Sequence, residues 1–368
     1  MRRTQKTRVI VLGAGPAGLV SALELSKSYP TTLIARRHPA REDATSVEAV
    51  PAALLAFLVE LGIPPHEIEV DCLHDSRRTA WDQETPVENR SPAAAYIDRA
   101  VLDAALLKRV SASKRVRVIR PAPRFIDYAL QAAKRENVLL VDATGRRSIS
   151  AREKLHPPRP WAARSFLASR QSGKEDPAMR IAALPEGFVY RLGSSRHVIL
   201  GIVGRNTAIA GTPFELERRL LEAGTAWMLD GLPPLAQMTP GKSSVASIQW
   251  STGGVGWRVG DAALARDSLS SQGLAAGISD ALYYASAVRS GDDLALLRLR
   301  QTEQREAHLR SLEQTIANCR FRHEETWSEY SEFIARHQGS TPSESRVALR
   351  SGKLTVAASQ HAESLSPI

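Results

Sequence analysis

Residues 9–28 read VIVLGAGPAGLVSALELSKS, an apolar strand, a glycine turn and a helix in that order. In such a turn Gly13 allows the tight bend, and Gly15 lets the backbone approach a pyrophosphate. Gly18 lets the helix pack closely on the strand, while the helix N-terminus attracts the anion. The motif in this context predicts a dinucleotide-binding α/β domain, although it does not say which dinucleotide.

Size and composition indicate a folded protein outside the membrane. The chain has 368 residues, 43% of them hydrophobic, which is enough for two domains or one large interleaved domain. No apolar run is long enough to span a bilayer. The basic start MRRTQKTR leads directly into the strand that the nucleotide needs, so we read no signal peptide and predict a cytoplasmic protein without a membrane span.

The charge and the cysteine content limit which cofactors, partners and metals the sequence predicts. Lysine and arginine number 49 against 39 acidic residues, a net charge of +10, which favours an anionic cofactor and an acidic partner surface. The arginines are scattered and aromatic residues are only 5%, so we expect no nucleic-acid binding. Cys72 and Cys319 show neither metal spacing nor a disulfide framework, so both are interpreted as inert thiols and no metal site is predicted.

The second strand, residues 31–35 (TTLIA), lacks a usual feature. A carboxylate that binds ribose normally ends this strand, but Ala35 stands there and Arg36 and Arg37 follow. Either another group holds the ribose or the arginines contact phosphate. Arginine at this place would ordinarily suggest NADP.

Helical and strand patterns extend this domain. The segment 47–63 (VEAVPAALLAFLVELGI) predicts a helix with Pro51 in its first turn and Gly62 at its end. Residues 96–110 predict a second helix with Asp98 as N-cap. VRVI (116–119) and VLLVDATG (138–145) read as further strands of the nucleotide sheet.

The middle of the chain changes character. HVILGIVG (197–204), preceded by GSSR, predicts a hairpin, and Thr212 with Glu215 forms a capping box for a helix that we expect to reach Trp227. VASIQW (245–250) reads as a strand, and residues 293–337 read as helical.

These patterns predict an α/β fold: a Rossmann-like dinucleotide-binding domain, which the resemblance described below implies to be FAD-binding, with an inserted, mostly β substrate domain and a C-terminal helical segment. The predicted domains are 1–70, 95–152 and 253–292 for the nucleotide, 71–94 and 153–252 for the substrate, 293–338 for the C-terminal helices, and 339–368 for a flexible tail.

Three segments point to FAD. VDATGRRSISAR (141–152), the pair Asp98-Arg99 and GWRVGDAALARDSLSSQGLAAGISDA (256–281) resemble segments of FAD monooxygenases of the hydroxybenzoate hydroxylase type. In that family an arginine lies near the cofactor and the late aspartate, here Asp261, bonds the ribityl chain. The resemblance implies FAD rather than NADP.

Among these enzymes, the sequence particularly resembles the tryptophan-halogenase-like flavoproteins. The resemblance extends from about Arg8 to His337. Residues 47–63, 186–202, 256–273 and 308–337 resemble their segments, but two features are missing. The halogenases carry a lysine that captures hypohalous acid, and residues 62–80 contain none. PWAARSF (160–166) does not match their W-x-W-x-I-P motif. The chain is most similar to the flavoproteins that assist cysteine tryptophylquinone formation in lysine ε-oxidase, glycine oxidase and quinohaemoprotein amine dehydrogenase.

The resemblance and the glycine motif together give a set of cofactor-binding residues. They are Gly13, Gly15, Pro16, Ala17, Gly18, Arg36, Arg99, Asp142, Gly145, Arg146, Gly260, Asp261, Ser271, Gln272 and Gly273. For Arg99 and Arg146 the alternative is an ordinary ion pair. Ser270 or Ser271 could cap the following helix, whose N-terminus would stabilise a reduced ring.

Glu48 and His74 are the candidate catalytic residues. Glu48 matches a glutamate of the family, with a surface charge as the alternative, and His74 lies where the halogenase lysine would fall, with a structural histidine as the alternative. The leading hypothesis is an FAD-dependent monooxygenase or oxidase, supplied by an external flavin reductant, acting on an aromatic ring. The resemblance implies a tryptophan side chain of a partner protein during quinone cofactor maturation. Alternatives are a small-molecule aromatic hydroxylase or dehydrogenase, a halogenase, which the missing lysine disfavours, and a flavin-bearing maturation chaperone.

Overall fold

The computed structural model describes residues 7–35, 46–70, 72–120, 123–134, 137–170, 179–241, 244–292 and 294–339. Arg36, predicted to bind the cofactor, and nearly all of the predicted tail lie outside these residues. None of the helices in the described ranges combines the length and the apolar character that crossing a bilayer requires.

The first sheet is parallel and contains the glycine motif. Its strands run in the order β16-β7-β1-β2-β6. They are β1 (Arg8–Leu12), β2 (Thr31–Ile34), β6 (Val116–Ile119), β7 (Val138–Asp142) and β16 (Trp257–Arg258). Three helices pack against one face of this sheet and form a hydrophobic core with it: α1 (Pro16–Ser26), α3 (Arg99–Ala112) and α8 (Gly273–Ser290). Helix α4 (Pro123–Ala132) packs against the other face. This confirms the predicted Rossmann-like sheet.

The second sheet is mixed and has nine strands in the described chain. The order is β13-β9-β12-β11-β10-β4-β5-β3, and β14 also pairs with β9. The strands are β3 (Val47–Pro51), β4 (His74–Ala80), β5 (Val87–Asp98), β9 (Ala162–Ser169), β10 (Met179–Leu184), β11 (Gly187–Gly193), β12 (His197–Gly204), β13 (Thr239–Pro240) and β14 (Ser244–Val245).

Each face of the second sheet has its own core. On β11 and β12, Phe188 and Ile199 belong to one core while their neighbours Val189 and Leu200 belong to the other, as the two-residue period of a strand requires. One core is completed by α9 (Leu294–Ala317) and α10 (Glu325–His337), and the other by α5 (Asn206–Ile209) and α6 (Pro213–Glu222). The C-terminal helical segment therefore packs against one face of the second sheet.

Several short elements lie outside the two sheets. They are α2 (Ala52–Glu60), α7 (Asp261–Leu264) and a ribbon of β8 (Glu153–Leu155) with β15 (Gln249–Thr252). The predicted domain boundaries stay a prediction. β3, which falls in the first predicted segment of the nucleotide domain, pairs with β5 in the second sheet.

Several predicted elements are wrong in detail. Residues 47–51 form β3 rather than the start of a helix, so the helix begins after Pro51 at Ala52. Residues 96–98 end β5, and α3 begins at Arg99 with Asp98 as N-cap. The Asp98 side chain does not cap this helix, because its carboxylate accepts from Ser194 Oγ at 3.0 Å and contacts His197 Nδ1 at 2.8 Å. Contacts with Ser194 and His197, which are distant in the chain, therefore take the place of the predicted side-chain cap.

Other boundaries also moved. The Thr212 capping box is present, but α6 ends at Glu222 and Trp227 lies in a separate 3-10 turn. The predicted strand 245–250 is interrupted between β14 and β15, and residues 318–324 separate α9 from α10. The predicted hairpin is confirmed, since β11 and β12 are antiparallel neighbours.

Candidate functional site

The glycine turn has two glycines that packing requires and one that faces open space. A Cβ on Gly13 would lie 2.3 Å from the Ala143 carbonyl oxygen, and one on Gly18 would lie 2.0 Å from the Gly13 carbonyl oxygen. A Cβ on Gly15 would meet nothing closer than Arg99 Nη2 at 4.0 Å. Gly15 is the N-cap of α1, so the backbone here exposes the N-terminus of an 11-residue helix.

A cavity of about 620 Å³ lies beside this turn, between the two sheets. Its volume is in the range of small-molecule and cofactor sites. Eleven of the predicted residues line it: Gly15, Pro16, Ala17, Glu48, Arg99, Gly145, Arg146, Gly260, Asp261, Ser271 and Gly273. The opposite wall comes from the second sheet and is mainly apolar, with Ala163, Met179, Ile181, Phe188, Tyr190 and Leu192.

Arg99 connects two carboxylates at one end of the cavity. Its Nη1 lies 3.2 Å from Glu48 Oε1 and its Nε lies 2.8 Å from Asp103 Oδ1. Burial alone would lower the pKa of Arg99, but Asp103 and Glu48 raise it, so the guanidinium keeps its charge. Burial raises the pKa of Glu48, and Arg99 opposes this only in part. Asp261 follows the same pattern, since burial raises its pKa against the opposing charges of Arg146 and Arg99.

Arg146 holds three segments of the cavity wall together. Its guanidinium donates to the carbonyl oxygens of Ser247 at 2.5 Å and Arg266 at 3.0 Å. Its own carbonyl accepts from Gln249 Nε2 at 2.7 Å. Burial lowers the pKa of Arg146, yet an arginine remains charged, so the residue brings a cation to the cavity while ordering its rim.

The loop before α8 is fixed by Asp267 and presents the helix N-terminus to the cavity. Asp267 Oδ1 accepts from the backbone N–H groups of Leu269 at 2.9 Å and Ser270 at 3.2 Å. Its other carboxylate oxygen lies 2.7 Å from His308 Nε2, and both side chains are 4% exposed. Ser271 adopts a left-handed conformation with φ of 50° and lines the cavity.

The remaining predicted residues lie outside the cavity wall. Gly13 and Gly18 support the turn from behind, and Gln272 is the N-cap of α8, without a side-chain capping bond. Asp142 is fully buried at the end of β7, where it accepts from the backbone N–H groups of Thr144 and Ser150.

His74 begins β4 and is also absent from the residues that line the cavity. Its Nε2 lies 3.2 Å from Cys72 Sγ, and its ring packs 5.7 Å from that of Tyr96. Cys72 is exposed and Cys319 is buried, and neither forms a disulfide.

Solved structures share the fold of this chain. No protein-family model matches the sequence, and no curated protein aligns with it significantly. A solved structure described as the peptidyl tryptophan dihydroxylase QhpG, essential for tryptophylquinone cofactor biogenesis, superposes with a TM-score of 0.66 at 20% identity, over 92% of this chain and 80% of its own. The fold is that of the FAD-dependent halogenases and monooxygenases.

Members of this fold with different chemistry fit equally well. The flavin-dependent halogenase CmlS matches with a TM-score of 0.65 at 17% identity, over 95% of this chain and 70% of its own. The probable FAD-dependent monooxygenase pqsL of Pseudomonas aeruginosa matches with a TM-score of 0.63 at 12% identity, over 90% of this chain and all of its own. The halogenase–monooxygenase fold is therefore established, while the reaction has to be argued from the site.

Within this fold the structure adds residues that sequence reasoning missed. Tyr190 lines the cavity, and Gly201 on the neighbouring strand makes room for it, because a Cβ there would lie 2.1 Å from its ring. Burial and the nearby Glu48 charge raise the pKa of Tyr190 to about 12, so its hydroxyl stays protonated. Arg266 lines the cavity as a third arginine. The alternation along β11 was a signal for Tyr190, but its direction required the pairing of the strands.

Glu48→Gln is expected to raise thermal stability increasingly as pH rises. Because burial raises the folded-state pKa of Glu48 above 4.5, the unfolded chain loses its proton first, and stability falls as pH rises through that window. Glutamine removes this loss. We expect the melting temperature of the variant to exceed that of the parent by a margin that is on the order of 1–2 °C larger at pH 8 than at pH 4.5. The exposed Glu88→Gln is the control, and an equal shift in both variants would contradict the assignment.

Proposed function

We propose that this chain is an FAD-dependent oxygenase that acts on an aromatic ring, specifically a tryptophan side chain of a partner protein. The observation that carries the proposal is the composition of the 620 Å³ cavity. One wall holds a glycine turn, a helix N-terminus and charged groups, and the facing wall is apolar and aromatic. A phosphorylated cofactor and an aromatic substrate need these two kinds of surface.

The residues present fit FAD. Gly15 and the N-terminus of α1 would hold the pyrophosphate, because a side chain is absent where the backbone must approach. Arg99, Arg146 and Arg266 bring positive charge to the same cavity. Asp261 would accept from the ribityl hydroxyls, and the 18-residue helix α8 begins at Gly273 on the cavity wall.

The protein contributes position, dryness and charge. When bound, FAD supplies the reduction of O₂ that places oxygen on an electron-rich ring. The α8 N-terminus, which lies on the cavity wall, would stabilise negative charge on a reduced ring. Glu48, with its raised pKa, is placed to hold or release a proton inside the cavity. The wall of Met179, Ile181 and Phe188 excludes water from the reacting atoms.

Two observations support a protein substrate. The net charge of +10 would speed the encounter with an acidic surface. QhpG, which has the same fold, is described as a peptidyl tryptophan dihydroxylase. Because its sequence is 20% identical, this likeness supports the proposal without establishing it.

The test combines capture and mass analysis. The chain is co-expressed with the products of its neighbouring genes and recovered at low and at high salt. We expect a partner retained at low salt and released at high salt, as electrostatic association requires. Peptide mass spectrometry should locate one or two added oxygen atoms on a partner tryptophan. Efficient turnover of a free small aromatic compound, with no partner retained, would favour the small-molecule hydroxylase instead. A complex without oxidation would favour the chaperone.

Halogenation is expected to fail. The halogenases that this chain resembles use a lysine amine to hold hypohalous acid, and none of the described residues that line the cavity is a lysine. Incubation with a flavin reductase, bromide, O₂ and free tryptophan should therefore yield no bromotryptophan, measured by mass spectrometry. A verified halogenase run in parallel shows that the assay works. A brominated product above the level of the enzyme-free reaction would overturn this expectation.

A further inference from the structure

Gly201 interrupts an apolar row on the second sheet. It lies in the interior of β12 between Ile199 and Val203, which share its face and are 2% and 0% exposed. Its φ lies outside the left-handed region, so the backbone conformation does not require glycine here. Glycine in a strand interior costs stability and often marks a place where another group approaches closely. The side chain at this position is therefore absent for a reason other than backbone conformation.

The group that approaches Gly201 is the ring of Tyr190. The two residues lie directly opposite each other in the antiparallel pair of β11 and β12. A Cβ on Gly201 would lie 2.1 Å from Tyr190 Cζ and 2.5 Å from its hydroxyl oxygen. Side chains on a strand ordinarily stand roughly perpendicular to the sheet. The Tyr190 ring instead lies across the neighbouring strand, over the glycine.

The position of this ring determines how much space is open beside the apolar wall of the cavity. Tyr190 lines the cavity of about 620 Å³, as do Phe188 and Leu192, which stand two residues before and after it on β11. A tyrosine ring that stood upright from β11 would project into that space. Because Gly201 lets the ring lie down, the glycine keeps the space open and the ring sets its depth.

The Glu48 carboxyl lines the same cavity from β3. Burial and, second to it, the nearby charge of Glu48 raise the pKa of Tyr190 to about 12. The two side chains are therefore close enough to interact electrostatically. A substrate ring that packs against Tyr190 lies near a carboxyl group that can hold or release a proton.

We propose that Tyr190, lying over Gly201, limits the size of the aromatic ring that the cavity admits. The inference rests on the proposed function, because it concerns the substrate of that same site. Protein interiors pack densely, so an apolar wall discriminates between substrates by the volume it leaves free. Tyr190 is thus a specificity-determining residue, which admits a ring of the size of indole and excludes a longer biaryl.

The test uses three probes that carry the same charge and differ in ring size: phenylacetate, indole-3-acetate and biphenyl-4-acetate. Equal charge gives each probe the same attraction to the arginines of the cavity. Each probe is titrated calorimetrically into the full-length chain with FAD bound, so that the nucleotide half of the cavity is filled. We expect the parent to bind indole-3-acetate more tightly than biphenyl-4-acetate. The opposite order in the parent would overturn the inference.

Two substitutions change the space in opposite directions. Tyr190→Ala should raise the affinity for biphenyl-4-acetate about tenfold, because it removes the limiting ring. Gly201→Ala should lower the affinity for indole-3-acetate about tenfold, because the added methyl group moves the ring off β12 and into the cavity. The double variant should match Tyr190→Ala within about twofold, because no ring remains to be displaced.

A glycine elsewhere in the same strand pair provides the control. Gly193 ends β11, and a Cβ there would meet nothing closer than Val198 Cγ2 at 3.9 Å. Gly193→Ala should therefore bind all three probes as the parent does. An equal loss of indole-3-acetate affinity in Gly193→Ala and Gly201→Ala would show a general effect on the sheet and overturn the inference.

Melting temperatures keep the inference testable if Gly201→Ala is unstable. The double variant lacks the clash, so it should melt no lower than Tyr190→Ala alone, and additive losses would overturn the contact. A parent that binds FAD and the probes, with an unchanged probe ranking in Tyr190→Ala, would show that this inference alone is wrong. A parent that binds no FAD would contradict the proposed function, and the ranking in the flavin-free variants would still decide this inference.

Discussion

Gly15→Leu is expected to yield a folded but colourless protein. The Cβ position of Gly15 opens toward the cavity, with Arg99 Nη2 at 4.0 Å as its nearest contact, so the leucine side chain enters the space that the pyrophosphate needs. We expect FAD affinity to fall at least a hundredfold, or about 2.7 kcal/mol. The measurement is the flavin spectrum of the purified protein, followed by FAD titration of the flavin-free form.

Two other glycines distinguish loss of the ligand from loss of the fold. Gly18→Ala should destabilise the protein itself, because its Cβ would lie 2.0 Å from the Gly13 carbonyl oxygen. Gly193→Ala, where the nearest contact is Val198 Cγ2 at 3.9 Å, should change neither property. A yellow Gly15→Leu protein with the parent's FAD affinity would remove the glycine turn from the cofactor site.

Asp267→Ala is expected to cause the largest loss of stability. Its carboxylate accepts two backbone N–H groups and pairs with His308 at 2.7 Å, with both side chains 4% exposed. Removing the carboxylate leaves the buried backbone N–H groups of Leu269 and Ser270 and the His308 imidazole without their acceptor, which costs about 1–3 kcal/mol for each unsatisfied group. Denaturant unfolding of the parent and the variant at neutral pH measures the difference. A loss below about 1 kcal/mol would contradict this account.

The pH dependence gives an independent check. Burial alone would raise the pKa of Asp267, but the hydrogen bond and charge of His308 and the backbone donors lower it. The stabilisation is therefore present above the unfolded value of 3.8 and is lost as pH falls toward the folded pKa. The gap between parent and Asp267→Ala should narrow in acid. The exposed Asp82→Ala should stay within about 0.5 kcal/mol of the parent throughout.

The first sheet could be predicted from sequence because its signals are local. Strand, turn and helix follow one another within residues 9–28, and the steric need for Gly18 arises within the turn itself, from the Gly13 carbonyl oxygen. Gly13, Gly15 and Gly18 stand where that reasoning places them, although only Gly15 reaches the cavity wall. Most of the residues predicted from the family segments line one cavity, because those segments lie where strands end and helices begin, although Asp142 and Gln272 do not line it.

Sequence reasoning missed the features that depend on contacts between residues far apart in the chain. The run 47–51 is apolar enough for either a helix or a strand, and pairing with β5 made it a strand. Asp267 meets His308 only after α8 and α9 have folded back on each other, and no local pattern marks that contact. Arg266 and Tyr190 likewise became cavity residues through the packing of the second sheet against the first.

Helix α7 is four residues long, yet Asp261 lines the large cavity while Ala263 and Leu264 line a second, smaller cavity of about 120 Å³. Gly260, which precedes it, has a φ of 58°, and its Cα lies 3.3 Å from the place where a Cβ on Gly277 of α8 would stand, so the segment has little room to adjust. Thermodynamic linkage follows from this shared wall. If a ligand in one cavity displaces α7 and changes affinity in the other by some factor, the second ligand must change the affinity of the first by that same factor.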